Sequence, residues 1–461
     1  MACGFIMKYL AKLSEWRREK LKMEVPERDI TKLVGGVSPF LEAFGNAKTT
    51  MNDNSSRFGK FQKILFSNGM IVGGDAESYL LEKARLSFQG VFERNYHIFY
   101  QLCAGASPEE RKRLNLKFAH EYDALTMGCA KKCKKHKHEC VIIEHEIHHG
   151  EYSYDKDRFN NPLNDDPDET GTRAALRRAG VPDEKQNKIW DCIAALLKLG
   201  DLKFVHDRSS PDSQIKSIVR EDCVSLCDEI AGLLGLSHIP KEKGLAAMLV
   251  INRREIPNEG SIDSPQPPDK CSKIRFALLK DIYSRLFDYL FRCVNKVLEP
   301  SQSPDAFVGI LDIFGFEVFK KNGMDQLCIN FANEKLQKLF NDHVFKREKA
   351  IYESEGIPKE IIPPYRDNSP CCDLIEKTHK TMVGIFPSLD EKGSTKCNDE
   401  TWCGQVLNRF GRVSLKYYLS FSLSLSLSLS VFPTKFSLTH SLTHSPNYPP
   451  SLMDHQKIAR V

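Results

Sequence analysis

Residues 309–317 read GILDIFGFE, an apolar run that stops at a carboxylate and meets a glycine three residues later. The run over 307–311 predicts a buried β-strand with Asp312 at its tip. That is where phosphate-handling α/β proteins hold a Mg²⁺ ion, usually through water. Gly315 lacks a Cβ and lets a backbone N–H come close to a phosphate. A second segment, NDNSSRFGKF at 52–61, sets amide and hydroxyl groups beside an arginine, a combination suited to phosphate oxygens and a metal. Either segment alone is modest; the pair, in this order, constrains the chain to an α/β fold built around a phosphate site.

The surrounding sequence reads as mixed α/β. Phe5, Ile6, Leu10 and Leu13 share one face of a first helix, and a charged loop follows over 20–37. Residues 58–72 hold two apolar runs around Ser67-Asn68-Gly69, the strongest short-range hairpin signal. A helical region is expected from Glu77, then a buried helix in NYHIFYQLCAGA. Ser107-Pro108-Glu109-Glu110 reads as N-cap, first helical position and early acids. Helices follow over 184–199, 274–298 and 324–355. In the last, Leu336, Leu339, Phe340, His343 and Val344 form one apolar stripe on a rod of roughly 45 Å.

Composition excludes several classes. The 461 residues are about three domains' worth. A net charge of +5 is too small for a strongly basic nucleic-acid arm. Fifteen irregularly spaced cysteines suit reduced thiols rather than a disulfide framework. No charge-free apolar run reaches the roughly 18 residues of a spanning helix. The first lysine follows the apolar start, the reverse of a secretory signal.

NDNSSRFGKF and LDIFGFE resemble switch I and switch II of the myosin motor domain. A kinesin would show Ser-Ser-Arg-Ser-His and Asp-Leu-Ala-Gly-Ser-Glu. LEAFGNAKT (41–49) and ERNYHIFYQLCAGA (93–106) are similar to the family's flanks of switch I. YSRLFDYLFRCVNKVL (283–298) is similar to the helix before switch II, and 326–357 to the relay helix. The resemblance covers roughly 3–128 and 158–410. It implies a P-loop NTPase-like motor core, mainly helical around a central mixed sheet, incomplete because the P-loop strand is missing. Residues 1–300 would form the upper motor region with a transducer-like hairpin and an insert at 127–157. Residues 301–410 would hold switch II, the relay helix and the start of the lower actin-binding subdomain.

Carried over by residue, the resemblance implies ATP and Mg²⁺ as cofactors. Asn52, Asn54 and Ser55 would contact the nucleotide phosphates, with the Gly315 N–H facing the γ-phosphate. Ser56 would give its hydroxyl to Mg²⁺ and Asp312 would hold the ion through water. Arg57 and Glu317 would form the salt bridge that closes the two switches around the attacking water, with Ser55 and Gly315 beside them. The relay stripe of Leu336, Leu339, Phe340, His343 and Val344 would carry the motion onward. Implied partners are actin filaments, in the cytoplasm and the myosin complex, without nucleic acid, an integral membrane segment or, for want of an IQ motif, light chains.

The departures matter as much. The family's Walker A loop precedes the helix that here begins CGFIMKYLA, and GNAKT (45–49) does not replace it: Ala47 precedes the lysine and Glu42 stands where the first glycine belongs. No converter or lever counterpart is found downstream. The insert MGCAKKCKKHKHECVIIEHEIHHG (127–150) offers Cys129, Cys133, Cys140, His136, His138, His145, His148 and His149, at spacings that follow no common zinc pattern; it reads as a solvated basic loop. SLSLSLSLS (422–430) and SLTHSLTHS (437–445) read as translated simple repeats, and no function is taken from 411–461. Three functions follow: part of an actin-activated Mg-ATPase motor, a non-catalytic relative that binds actin weakly and no nucleotide for lack of the Walker loop, or a metal- or polyanion-binding adaptor built around residues 127–150.

Overall fold

The computed structural model describes residues 2–22, 38–128, 171–208, 216–256, 260–319, 322–358, 360–361, 367–379, 382–393 and 399–410. The charged loop from 23, nearly all of the 127–157 insert and the 411–461 tail lie outside the described residues. Contacts divide the chain into two compact units, Met1–Phe314 and Gly315–Val461, so the strand before Asp312 packs with the first.

The first unit starts with helix α1 (Ala2–Lys20). Its inward residues are Met7 and Ser14, while Phe5, at 68% exposure, Ile6 and Leu13 point outward. Of the expected apolar face only Leu10 packs against the core. Ser14 explains the choice: its hydroxyl accepts the Ile71 N–H at 3.0 Å and ties the helix to the sheet. Helix α2 (Ser38–Gly45) runs into the two-residue strand β1 (Asn46–Ala47), which pairs with β2 (Ser55–Ser56).

Strands β3 (Gly59–Ser67) and β4 (Met70–Tyr79) form the expected hairpin. Asn68 and Gly69 both take positive φ, 51° and 73°, the geometry whose twist suits a two-residue hairpin. β4 runs on through Tyr79, paired with Gly59, where a helix was expected; strand pairing overrides local propensity there. Helix α3 (His97–Gly105) and helix α4 (Pro108–Arg113) stand where the sequence puts them. Ser107 closes a capping box: its hydroxyl accepts from Glu110 N at 3.2 Å, and Glu110 accepts from Ser107 N at 3.0 Å.

Helix α5 (Asp183–Asp201) buries Ile189, Trp190, Ile193, Leu196 and Leu197. Two small hairpins follow, β5 (Phe204–His206) with β6 (Ser217–Val219) and β7 (Ile251–Ile256) with β8 (Gly260–Pro265). Helix α6 (Pro268–Leu298) is the spine. Its buried Tyr283, Phe287 and Phe291 recur every four residues, so they share a face. Tyr283 stacks on Tyr96 at 5.0 Å and donates to Phe44 O at 2.6 Å, and Phe287 meets Phe58 edge-on at 5.0 Å. Asn295 makes two 2.9 Å bonds to the Ala76 backbone, fixing α6 along β4.

Strand β9 (Ala306–Asp312) completes a three-stranded sheet in the order β4-β3-β9. Both pairings are antiparallel, so among the described residues the expected mixed sheet is an antiparallel one. β9 was also expected to be buried, yet only Ile310 is; Phe307 is 61% exposed. Among the described residues β9 is the edge strand of that sheet, paired with β3 alone.

In the second unit, helix α7 (Met324–Phe340) continues through a π-helical turn, Asn341–Lys346, into helix α8 (Arg347–Ser354). The long rod is thus present but locally widened. Its expected apolar stripe faces outward: Leu339 and Phe340 are 54% and 52% exposed, and His343 and Val344 are exposed as well. The buried positions of α7 are the apolar Leu327 and Ile329 near its start, then the polar Asn330 and Glu334. Glu334 accepts from Asn368 Nδ2 through its carbonyl and its carboxylate, at 2.8 and 2.7 Å. A small apolar cluster of Leu327, Leu374, Ile385, Trp402 and Val406 packs nearby.

Candidate functional site

The ladder between β1 and β2 closes residues 48–54 into a loop. Inside it the Thr49 N–H donates to Asn52 O at 2.8 Å, and Asn52 N donates back to Thr49 Oγ1 at 3.1 Å. Asn52 Oδ1 accepts from Asn54 N at 2.9 Å, an Asx turn that leaves the Asn52 side-chain NH2 as its donor end. Lys48 and Asp53 pair at 3.2 Å across the loop.

Asn54 turns inward. Its Oδ1 accepts from Asn46 Nδ2 at 3.0 Å and lies 3.1 Å from His97 Nε2, and its Nδ2 reaches Glu42 at 3.3 Å. Burial, reinforced by the charges of Arg94 and Arg85, pushes the His97 imidazole down to about 3. The ring is therefore neutral at physiological pH, with Nε2 as the donor to Asn54. Asn46 Oδ1 and His97 Nδ1 are buried without a hydrogen-bond partner. Asn54 is thus a structural anchor of the loop as well as a candidate nucleotide contact.

Ser55 and Ser56 are half-buried neighbours on β2, so their side chains leave opposite faces of the strand. Arg57 comes next and is wholly buried. Its Nη1 donates to Ser55 Oγ at 3.3 Å and its Nε to Glu82 Oε2 at 2.6 Å. Sequence reasoning missed Glu82. It sits three residues beyond β4, in a stretch expected to be an ordinary helix; the available signal was the Glu82–Arg85 spacing beside an arginine too buried to stand alone. Burial pushes the Glu82 carboxyl up, but the guanidinium groups of Arg85 and Arg57 outweigh it and hold the carboxyl below the usual range.

The two sequence motifs meet through the sheet. Register pairs Lys60 of the first with Asp312 of the second, and Lys60 Nζ lies 3.5 Å from Asp312 Oδ2. The Arg57 guanidinium sits 5.8 Å from the Phe314 ring centroid. Asp312 therefore does stand at a strand tip beside the Ser55–Arg57 segment. Among the described residues no group of three or more His, Cys, Asp or Glu could hold a metal ion. One carboxylate with one serine hydroxyl is instead the hard-oxygen donor set of a Mg²⁺ ion bound mainly by phosphates and water, so the residues fit that group.

In the second unit, a Cβ at Gly315 would meet nothing within 4 Å. Glu317 is buried and tied to the start of α7: its N–H donates to Asn330 Oδ1 at 2.8 Å, its carbonyl accepts from Asn330 Nδ2 at 2.9 Å, and Gln326 reaches its carboxylate at 3.4 Å.

A family model described as myosin head (motor domain) matches residues 1–441. The chain is 38% identical over 385 residues to unconventional myosin-Vb of Mus musculus, covering 83% of this chain and 19% of that protein. It is 38% identical over 356 residues to myosin-I heavy chain of Dictyostelium discoideum, with 77% and 13% covered. It is 36% identical over 366 residues to unconventional myosin-VI of Homo sapiens, with 79% and 28% covered. The chain thus spans well under a third of the length of these relatives.

Proposed function

We propose, from the premise that this chain belongs to the myosin head (motor domain) family, that it supplies the nucleotide-sensing core of an ATP-driven motor acting on actin filaments in the cytoplasm. The observation that carries the reading is the pairing of the two motifs at Lys60 and Asp312, with Arg57 against Phe314. It gathers hydroxyl, amide, guanidinium and carboxylate groups at one end of one sheet.

In this reading Asn52 and Ser55 bind phosphate oxygens, Ser56 and Asp312 hold Mg²⁺, and the Gly315 N–H faces the γ-phosphate. The bound ion would supply charge neutralisation for phosphoryl transfer. Arg57 and Glu317 close over the attacking water and exclude bulk solvent, which strengthens every electrostatic contact inside. Phosphoryl transfer asks the protein mostly to position groups and stabilise charge, and a buried arginine beside two serines is built for that. Glu317, bonded to Asn330 and Gln326, passes closure to α7 and on through the π turn.

The second reading is a non-catalytic relative that binds actin weakly and no nucleotide. Cosedimentation of the native protein with actin filaments separates the two. The motor reading expects binding without nucleotide and release on adding Mg-ATP. Binding that Mg-ATP leaves unchanged would support the second reading and contradict the first.

A further inference from the structure

We infer that Glu82 is the positioning residue for Arg57, presetting the guanidinium for its work at the phosphate. The inference rests on the switch reading above and adds to it a residue outside both motifs.

Three independent observations carry it. Glu82 Oε2 accepts from Arg57 Nε at 2.6 Å while the Ser55 hydroxyl takes Nη1 at 3.3 Å, so the planar fork is held at two of its edges. A guanidinium fixed at two edges has its plane and reach defined before any substrate arrives.

The same oxygen accepts from Arg85 Nε at 2.7 Å. Arg85 is itself fixed by Arg94 O at 2.8 Å and by Glu93 at 3.4 Å. Glu82 is therefore braced from behind and cannot follow Arg57 if Arg57 moves.

The backbone is built to deliver Glu82 there. β4 ends at Tyr79, and Leu80 then takes φ of 53°, a left-handed conformation that a branched, non-glycine side chain adopts only under constraint. That turn returns the chain beneath Arg57, where Glu82 N donates to Arg57 O at 2.9 Å and Tyr96 Oη donates to Glu82 O at 2.9 Å.

The test is single-turnover ATP hydrolysis, with nucleotide affinity measured separately, on the native full-length protein carrying Glu82→Gln. Glutamine keeps the shape and removes the charge. The inference expects the hydrolysis step to slow by about 100-fold, the scale of a misplaced catalytic group, while affinity changes by less than about threefold, because ground-state phosphate contacts are kept. In an Arg57→Ala background the same change should have almost no further effect, since Glu82 acts through Arg57. A merely structural Glu82 would instead add its loss to that of Arg57→Ala and weaken affinity as much as rate. Should Glu82→Gln not fold, Glu82→Asp, which keeps the charge and shortens the reach, carries the test with the same two outcomes. Wild-type turnover with a variant at the wild-type rate overturns this inference alone. A wild-type protein that turns over no ATP overturns the switch reading, and this inference with it.

Discussion

Arg57 and Glu82, 25 residues apart, form a buried ion pair at 2.6 Å in which the guanidinium is wholly shielded from solvent. A pair of this kind is costly to break, because removing one partner strands the other charge. Glu82→Ala should destabilise the fold by about 3–5 kcal/mol, read by thermal or denaturant unfolding of the first unit. A loss below about 1 kcal/mol would mean the pair behaves like a surface contact.

The same pair sets a pH dependence. A carboxyl held below its ordinary value contributes stability that is present above about pH 4.5 and is lost as pH falls towards its folded value. Unfolding followed between pH 6 and 3 should therefore show a Glu82 contribution that vanishes in Glu82→Gln. An acid limb identical in variant and wild type would contradict this.

His97 acts over a higher window. Its folded value of about 3 lies below the unfolded 6.5, so the unfolded chain binds the extra proton first. Stability should be full above pH 6.5 and fall by about 1.4 kcal/mol per unit below it. His97→Gln should flatten that limb while keeping a donor for Asn54. An unchanged slope would show that His97 is solvated rather than buried.

Two glycines are expected to differ in kind. Gly69 holds φ of 73° in the hairpin turn, so Gly69→Ala should cost about 1 kcal/mol through backbone strain. At Gly73 the backbone is ordinary, but an added Cβ would lie 2.6 Å from Pro300 Cα and 2.9 Å from Leu298 O. Gly73→Ala should cost about 1–3 kcal/mol by forcing β4 and the end of α6 apart. Comparative melting of the two variants checks both.

Local signals were the legible part of this fold. Asn68-Gly69, the Ser107 capping box and the helices over 183–201 and 268–298 depend on near neighbours in sequence, and the structure has them where the pattern put them. What failed depended on distant partners. β4 runs past Glu77 because β3 pairs with it, α1 turns Met7 and Ser14 inward because Ile71 needs an acceptor, and the Leu339–Phe340 stripe faces outward while Glu334 is buried for Asn368. The site followed the same rule. Asp312 and the 52–57 segment were legible as chemistry, and the sheet brings them together; Glu82 was not, because its role exists only once β4 and the Leu80 turn carry it under Arg57.

The central claim is that Arg57, Glu317 and their neighbours run ATP hydrolysis coupled to actin. Phosphate release from Mg-ATP by the native full-length protein, with and without actin filaments, tests it most directly when wild type is set beside Glu317→Ala. The account predicts actin-stimulated release from wild type and its abolition in Glu317→Ala with the fold intact. Equal release from both proteins, or none from either, would contradict it.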